Sequence, residues 1–292
     1  MTNNKSGNLY RPYAFFSLDF LLTWVPLWIL AAGLKRGWFT HDFGLLYVAG
    51  GSAVFSSLYF VYSSRNKAFI RDFWIRAVDP VRISLVWWCV IIFLPVAINF
   101  CGILISLVYG DSPAQLSLSG SFTAHPLIFI LFVFIFGPLP EELGWRGYGL
   151  DALRTKMNLL DASLLLALIW GLWHLPMLWI PGTFQNSLIK YPWVCIFYFT
   201  AFFPGSILMS WIYYRTNRST LSAIMFHFSV NFSGEFLNLS METRITQTIL
   251  TCIIAMLVVW KERPMFLQRE FWLCIGSERL LTNGLQLKKT IL

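Results

Sequence analysis

The chain returns repeatedly to apolar runs long enough to cross a lipid bilayer, and no other feature limits its fold as severely. A helix needs about 20 mostly apolar residues to span the hydrocarbon core. Eight segments approach that length, at about residues 13–34, 43–63, 83–108, 127–150, 160–180, 191–214, 220–240 and 245–261. Inside hydrocarbon every backbone N–H and C=O must find a partner within the protein, so spans of this kind are helical. The composition agrees: 57% of residues are hydrophobic and 12% are charged, against roughly 25% charged in a soluble domain. The expected fold class is all-α, a polytopic membrane bundle of about eight transmembrane helices.

Eight spans bring both ends of the chain to one side, and Lys and Arg identify it, because they gather in cytoplasmic connections. With the N-terminus inside, eighteen of the 22 Lys and Arg fall on the cytoplasmic side, and Lys35, Arg36, Lys190 and Arg244 fall outside. N- and C-termini are therefore expected to be cytoplasmic. This asymmetry explains the net charge of +8 without a coherent basic stripe for nucleic acid. Segment 64–82 alternates Phe69, Phe73, Trp74 and Ile75 with Arg71, Arg76 and Arg82, the pattern of an interfacial helix against anionic lipid. The tail repeats that mix, with Phe266, Phe271 and Trp272 among Arg269 and Arg279.

No linker or repeat divides the chain. It reads as N-terminal membrane helices over 1–124, a polar-bearing core over 125–240, and a last helix with a basic tail over 241–292. Cys89, Cys101, Cys195, Cys252 and Cys274 have no metal or redox spacing, and four of them, inside apolar runs, read as buried small hydrophobes.

Against this background Glu141, Glu142 and Arg146 in Pro138-Leu139-Pro140-Glu141-Glu142-Leu143-Gly144-Trp145-Arg146 need a reason. An ionised side chain in hydrocarbon costs at least about 2.5–3.5 kcal/mol, so it faces a polar interior or does chemistry. If the fourth span runs on to a polar boundary at Asp151, Glu141 falls near mid-span, level with His174 and His227 on later helices. Glu142 and Arg146 are four apart and share a helix face, which fits a structural ion pair and leaves Glu141 turned by roughly 100°. His227, Asn231 and Glu235, again four apart, form a polar stripe that must face protein or water. Asp19 and Glu235 read as packing groups, and His41 and His125 as interfacial ones.

Carboxylate, imidazole and amide around a water-filled cavity suit hydrolysis: Glu and His orient and deprotonate water, while His and Asn donate to a developing oxyanion. A divalent metal such as zinc is the other arrangement these side chains allow, with Glu141, His174 and His227 as ligands. No His-Glu-x-x-His helix is present, and spacing does not choose between metal-bound and glutamate-activated water.

These residues resemble the motifs of the CAAX protease and bacteriocin-processing (CPBP, or Abi) family of intramembrane endopeptidases. Glu141-Glu142-Leu143-Gly144-Trp145-Arg146 is similar to its Glu-Glu-x-x-x-Arg motif, Trp170-Gly171-Leu172-Trp173-His174 to Phe-x-x-x-His, and His227-Phe228-Ser229-Val230-Asn231 to His-x-x-x-Asn. Trp170 replaces the usual Phe, a tolerable aromatic exchange. The resemblance covers about residues 125–240. It implies that Glu141 and His174 activate water, that His227 and Asn231 form the oxyanion site, and that Glu142 and Arg146 support Glu141 and His174. The implied partner is a peptide or protein substrate at the membrane, cut near the cytoplasmic side in peptide maturation or bacteriocin self-immunity. Sequons at Asn217, Asn231 and Asn238 fall at the cytoplasmic edge or inside a span, and the expected location is a bacterial plasma membrane. The rival classes are a non-catalytic scaffold or immunity protein, in which Glu141→Gln keeps every activity, and a proton-coupled transporter, against which no inverted repeat links the two halves.

Overall fold

The computed structural model describes residues 9–40 and 43–269. Pro12 opens α1 (Pro12–Lys35) at a position where its missing N–H costs nothing. After it come α2 (Phe43–Gly50), α3 (Ser52–Ser63), α4 (Lys67–Val78) and α5 (Leu85–Val108). The short α6 (Gly120–Ala124) leads into a line of elements on one long rod: α7 (Pro126–Ile135), α8 (Pro138–Gly144), a π turn over Trp145–Gly149, and α9 (Leu150–Arg154). Then α10 (Leu159–His174) runs into a 3-10 turn (Leu175–Trp179). The remaining helices are α11 (Phe184–Leu188), α12 (Pro192–Arg215), α13 (Thr220–Glu235), α14 (Met241–Lys261) and α15 (Arg263–Leu267). Extended pairing among the described residues is limited to one antiparallel bridge, Leu118 to Leu237.

The protein is an all-helical, multi-pass membrane protein. Six helical stretches are long and apolar enough to cross a bilayer, namely α1, α5, the α7–α9 rod, α10 with its 3-10 turn, α12 and α14. The α2–α3 pair, bent by 43°, makes a seventh if it counts as one span. The eighth expected span is α13, which has 16 residues and stops at Glu235 rather than at 240. Its rise of about 24 Å is less than the hydrocarbon thickness. Because α13 is packed among α4, α5, α7, α8 and α12, its length answers to protein neighbours instead of to lipid.

The α7–α9 rod follows the expected course through Glu141 and runs on to Arg154. Gly144 lets it press against α3: a Cβ there would lie 2.5 Å from the Cβ of Ala53 and 2.6 Å from that residue's backbone. Asp151, expected at a polar boundary, is fully buried. Tyr213 and Tyr214 each donate to it at 2.9 Å, Arg218 pairs with it, and Arg76 Nη1 lies 3.5 Å away. Arg76 also donates to Asp72 at 2.8 Å and to the Gly147 carbonyl of the π turn at 2.9 Å. One carboxylate thus ties α4, α9, the end of α12 and the turn before α13 together.

Several expectations change accordingly. Helix α4 packs Phe69, Phe73 and Arg76 into the protein and leaves Lys67, Arg71, Trp74 and Val78 exposed. Arg76, Arg146 and Arg154 are buried and Arg218 pairs with Asp151, so these four of the eighteen inside residues report internal pairing as much as membrane side. Cys89 and Cys101 are exposed and Cys195 and Cys252 half-buried. They sit on outward faces of α5, α12 and α14 and are not core residues. Phe271, Trp272, Cys274, Arg279 and His41 lie outside the described residues.

Candidate active site

Three helices and one close approach bring the expected polar residues together. Glu141 lies in the first turn of α8 with Glu142 next to it, and one turn later Arg146 lies in the π segment. Arg146 Nη1 donates to both oxygens of Glu142, at 2.9 and 3.0 Å, and both side chains are fully buried. Arg146 Nη2 reaches Ser206 Oγ at 3.3 Å, and that hydroxyl donates to the Ser163 carbonyl at 2.9 Å. The pair is therefore anchored to α10 and α12, and an ionic bond this deep would be costly to break.

Glu142 also reaches α13: His227 Nδ1 lies 2.9 Å from its Oε1. A carboxylate accepts, so Nδ1 carries the hydrogen. The neutral ring then offers a lone pair at Nε2, and Nε2 donates only when both ring nitrogens are protonated. His174, at the last position of α10, has Nδ1 3.0 Å from the Trp170 carbonyl. That oxygen can only accept, so in a neutral His174 the lone pair is again on Nε2. The α-helical part of this span ends at His174, because Pro176 follows, and the 3-10 turn carries the span on to Trp179.

The indole of Trp170 lies between the two rings, with centroids 5.1 Å from His227 and 6.4 Å from His174. Its Nε1 donates to Glu141 Oε2 at 2.7 Å, and the Arg146 guanidinium carbon lies 5.2 Å from its centroid. Trp170 thus holds the carboxylate with its side chain and His174 with its carbonyl. Asn231 is placed through Gly137: a Cβ built there would lie 3.4 Å from Asn231 Nδ2 and 4.0 Å from Glu141 Oε1. The missing side chain leaves amide and carboxylate facing one space.

That space is a cavity of about 790 Å³, in the range of small-ligand sites. Glu141, His174, His227 and Asn231 line its floor, and Phe184, Tyr198, Phe202 and Val230 contribute apolar wall. Ser119, Gln185 and Asn238 line it as well.

Glu235, the outermost member of the α13 stripe, lines the cavity as well. Asp19 is buried behind the site, accepting from Ser52 Oγ at 2.7 Å, and Ser52 accepts from Trp173 Nε1 at 2.9 Å. His125 is exposed at the N-cap of α7. Ser163, Ser206 and Trp170 were not expected as site residues. Only the aromatic position in the Trp170–His174 motif could have pointed to one of them. Glu141, His174 and His227 have the donor types of a zinc site, but among the described residues no three His, Cys, Asp or Glu side chains converge as a ligand set. In this arrangement they do not fit a resident ion.

Two comparisons bear on this site. A family model described as type II CAAX prenyl endopeptidase, Rce1-like, matches residues 123–233, from α6 to α13. A protein of Methanococcus maripaludis described as CAAX prenyl protease 2 is 28% identical over 268 residues, covering 90% of this chain and 98% of the relative.

Proposed function

We infer that this chain, which belongs to the CAAX protease family of intramembrane endopeptidases, hydrolyses a peptide bond in the cavity floored by Glu141, His174, His227 and Asn231, on a prenylated protein or peptide. The observation that carries the reading is the single cavity shared by a carboxylate, two imidazoles fixed through Nδ1 and a side-chain amide. The apolar wall suits a lipidated substrate, and the relative's description as a prenyl protease supports the same class.

Water held between Glu141 and His174 Nε2 loses a proton to Glu141 as its oxygen attacks the substrate carbonyl. The Asn231 amide N–H and a doubly protonated His227 donate to the oxyanion. The C–N bond then breaks, Glu141 returns its proton to the leaving amine, and a carboxylic acid and a free amine result, the acid then giving up its remaining proton to solvent. Glu142 and Arg146 act at one remove: Glu142 orients His227, and Arg146 orients Glu142. Outside the spans, the α4 face bearing Arg71, Trp74 and Val78 is a contact for anionic lipid.

The test is the purified full chain in detergent micelles with an S-prenylated peptide, products read by mass spectrometry. A new amine end is expected. A folded protein that yields none, while a cellular phenotype persists, would turn the reading to a scaffold. In the same assay Trp170→Phe keeps the ring but removes the hydrogen bond to Glu141. Hydrogen bonds to charged groups are worth about 1.5–3 kcal/mol, so kcat should fall about 10- to 100-fold with KM and melting temperature little changed. A parallel rise in KM with full kcat would mean that the indole serves substrate binding instead.

A further inference from the structure

Asp19 is a fully buried acid of α1 to which the chemistry above gives no part. Among the described residues no cation pairs with it, and its Oδ2 has no hydrogen-bond partner. Burying a polar group in this way is unfavourable, and an apolar residue would fill the position at less cost. The acid therefore has a use beyond packing.

Its partners point to that use. Oδ1 accepts from Ser52 Oγ at 2.7 Å, Ser52 Oγ lies 2.5 Å from Thr23 Oγ1, and Thr23, one turn along α1, donates to the Asp19 carbonyl at 2.8 Å. Ser52 opens α3 at the bend after α2, and its oxygen accepts from Trp173 Nε1 at 2.9 Å. All four side chains are buried. One hydroxyl thus joins α1, α3 and the last turn of α10.

Trp173 precedes His174, and its ring meets the imidazole edge to face with centroids 4.7 Å apart, while Phe202 lies 5.0 Å from the same imidazole. The contact of Nδ1 with the Trp170 carbonyl fixes one atom of that ring; the aromatic rings against it set its plane. His174 needs such support because the α-helix ends there. Pro176 has no N–H for the Leu172 carbonyl four residues back, and that carbonyl accepts instead from Leu175 N–H and, at 3.1 Å, from Trp24 Nε1 of α1. Helix α1 therefore holds the end of α10 at two points, Leu172 through Trp24 and Trp173 through Ser52 and Asp19. Asp19, Trp24 and Ser52 all lie in the N-terminal helices, outside the motif-bearing segment 125–240.

We propose that Asp19 is a positioning residue for His174: through Ser52 and Trp173 it fixes the end of α10, and with it the imidazole that holds the attacking water. The effect on turnover rests on the peptidase reading, whereas the placing of the imidazole can be read without it.

The test follows both on the full chain in micelles. With ring-labelled histidine, the NMR signals of His174 and His227 are assigned through His174→Gln and His227→Gln. Asp19→Ala and Ser52→Ala should each move the His174 signal and leave that of His227, which is held from α8 through Glu142. Asp19→Asn, whose carbonyl oxygen can accept from Ser52, should leave both. In cleavage of an S-prenylated peptide each alanine variant should lower kcat about fivefold, the scale of one hydrogen bond, with KM unchanged. The double variant should be no slower than Ser52→Ala alone, because the two residues act in one line, and Asp19→Asn should stay within about twofold of the parent. An unmoved His174 signal in Asp19→Ala overturns the proposal, as does an equal shift at His227, which would be general loosening. A moved signal with full kcat, a double variant at the product of the two single effects, or an Asp19→Asn as slow as Asp19→Ala overturns it too. Where Asp19→Ala does not fold, Ser52→Ala carries the same test. Parent protein that cleaves no peptide overturns the peptidase, and the two imidazole signals then decide the positioning role alone.

Discussion

Glu141→Gln is expected to lower kcat/KM for peptide cleavage by about 10²- to 10⁴-fold, the usual contribution of a positioned general base, with no loss of helical content or melting temperature. The two effects separate because of how Glu141 is held. Its Oε2 accepts from Trp170 Nε1 at 2.7 Å, and a glutamine carbonyl oxygen can accept the same bond at the same volume. No ion pair joins Glu141 to a cation among the described residues; the salt bridge belongs to Glu142 and Arg146. What is lost is the ability to take a proton from water and return it to the leaving amine. Full activity in Glu141→Gln, measured on protein that melts like its parent, would remove Glu141 from the chemistry.

Asp151→Asn should have its effect on the other side of the ledger, destabilising the fold by about 3–5 kcal/mol, as expected when one partner of a buried charge cluster is removed. Asp151 is fully buried, and Arg218, Arg76, Tyr213 and Tyr214 all converge on it. Asparagine keeps the shape but leaves two guanidiniums with Asp72 as their remaining acid, 2.8 Å from Arg76 and 3.8 Å from Arg218. The readout is the thermal midpoint in micelles or, where unfolding is irreversible, the inactivation rate at fixed temperature. An unchanged midpoint would mean that the cluster contributes no net stability. Burial alone would raise the Asp72 carboxyl, but Arg76 and Arg218 hold it below the ordinary carboxylate range. Its contribution is therefore complete above the unfolded value of about 3.9 and is lost as pH falls through the lower folded value.

Local spacing made much of this site legible. Glu142 and Arg146 pair as their four-residue separation requires, and His227, Asn231 and Glu235 line one cavity as the α13 stripe required. The course of the rod through Glu141 followed from a depth argument, since an earlier end would have separated the acids from His174. Contacts between residues distant in the chain could not be read this way. Trp170 counted as an aromatic exchanged for an aromatic, yet its indole N–H is the donor that holds Glu141, a bond that phenylalanine cannot make. Asp151 looked like the end of a span because acids usually mark water; its partners are 62 to 75 positions away in sequence. The shortness of α13 was hidden because hydrophobicity reports that a helix is buried, without distinguishing lipid from protein around it.

The π turn at Trp145–Gly149 sits between two fixed points of a single rod, the acids above it and Asp151 below it. Such turns carry one residue more than an α-helical path of the same course needs. Losing that residue would rotate one fixed point against the other by roughly 100°, turning Glu141 from the cavity or Asp151 from its arginines. The stretch therefore acts as a reading frame for the rod: it can absorb changes of letter, but its length is part of the message, and insertions or deletions among relatives should avoid it even where its residues vary.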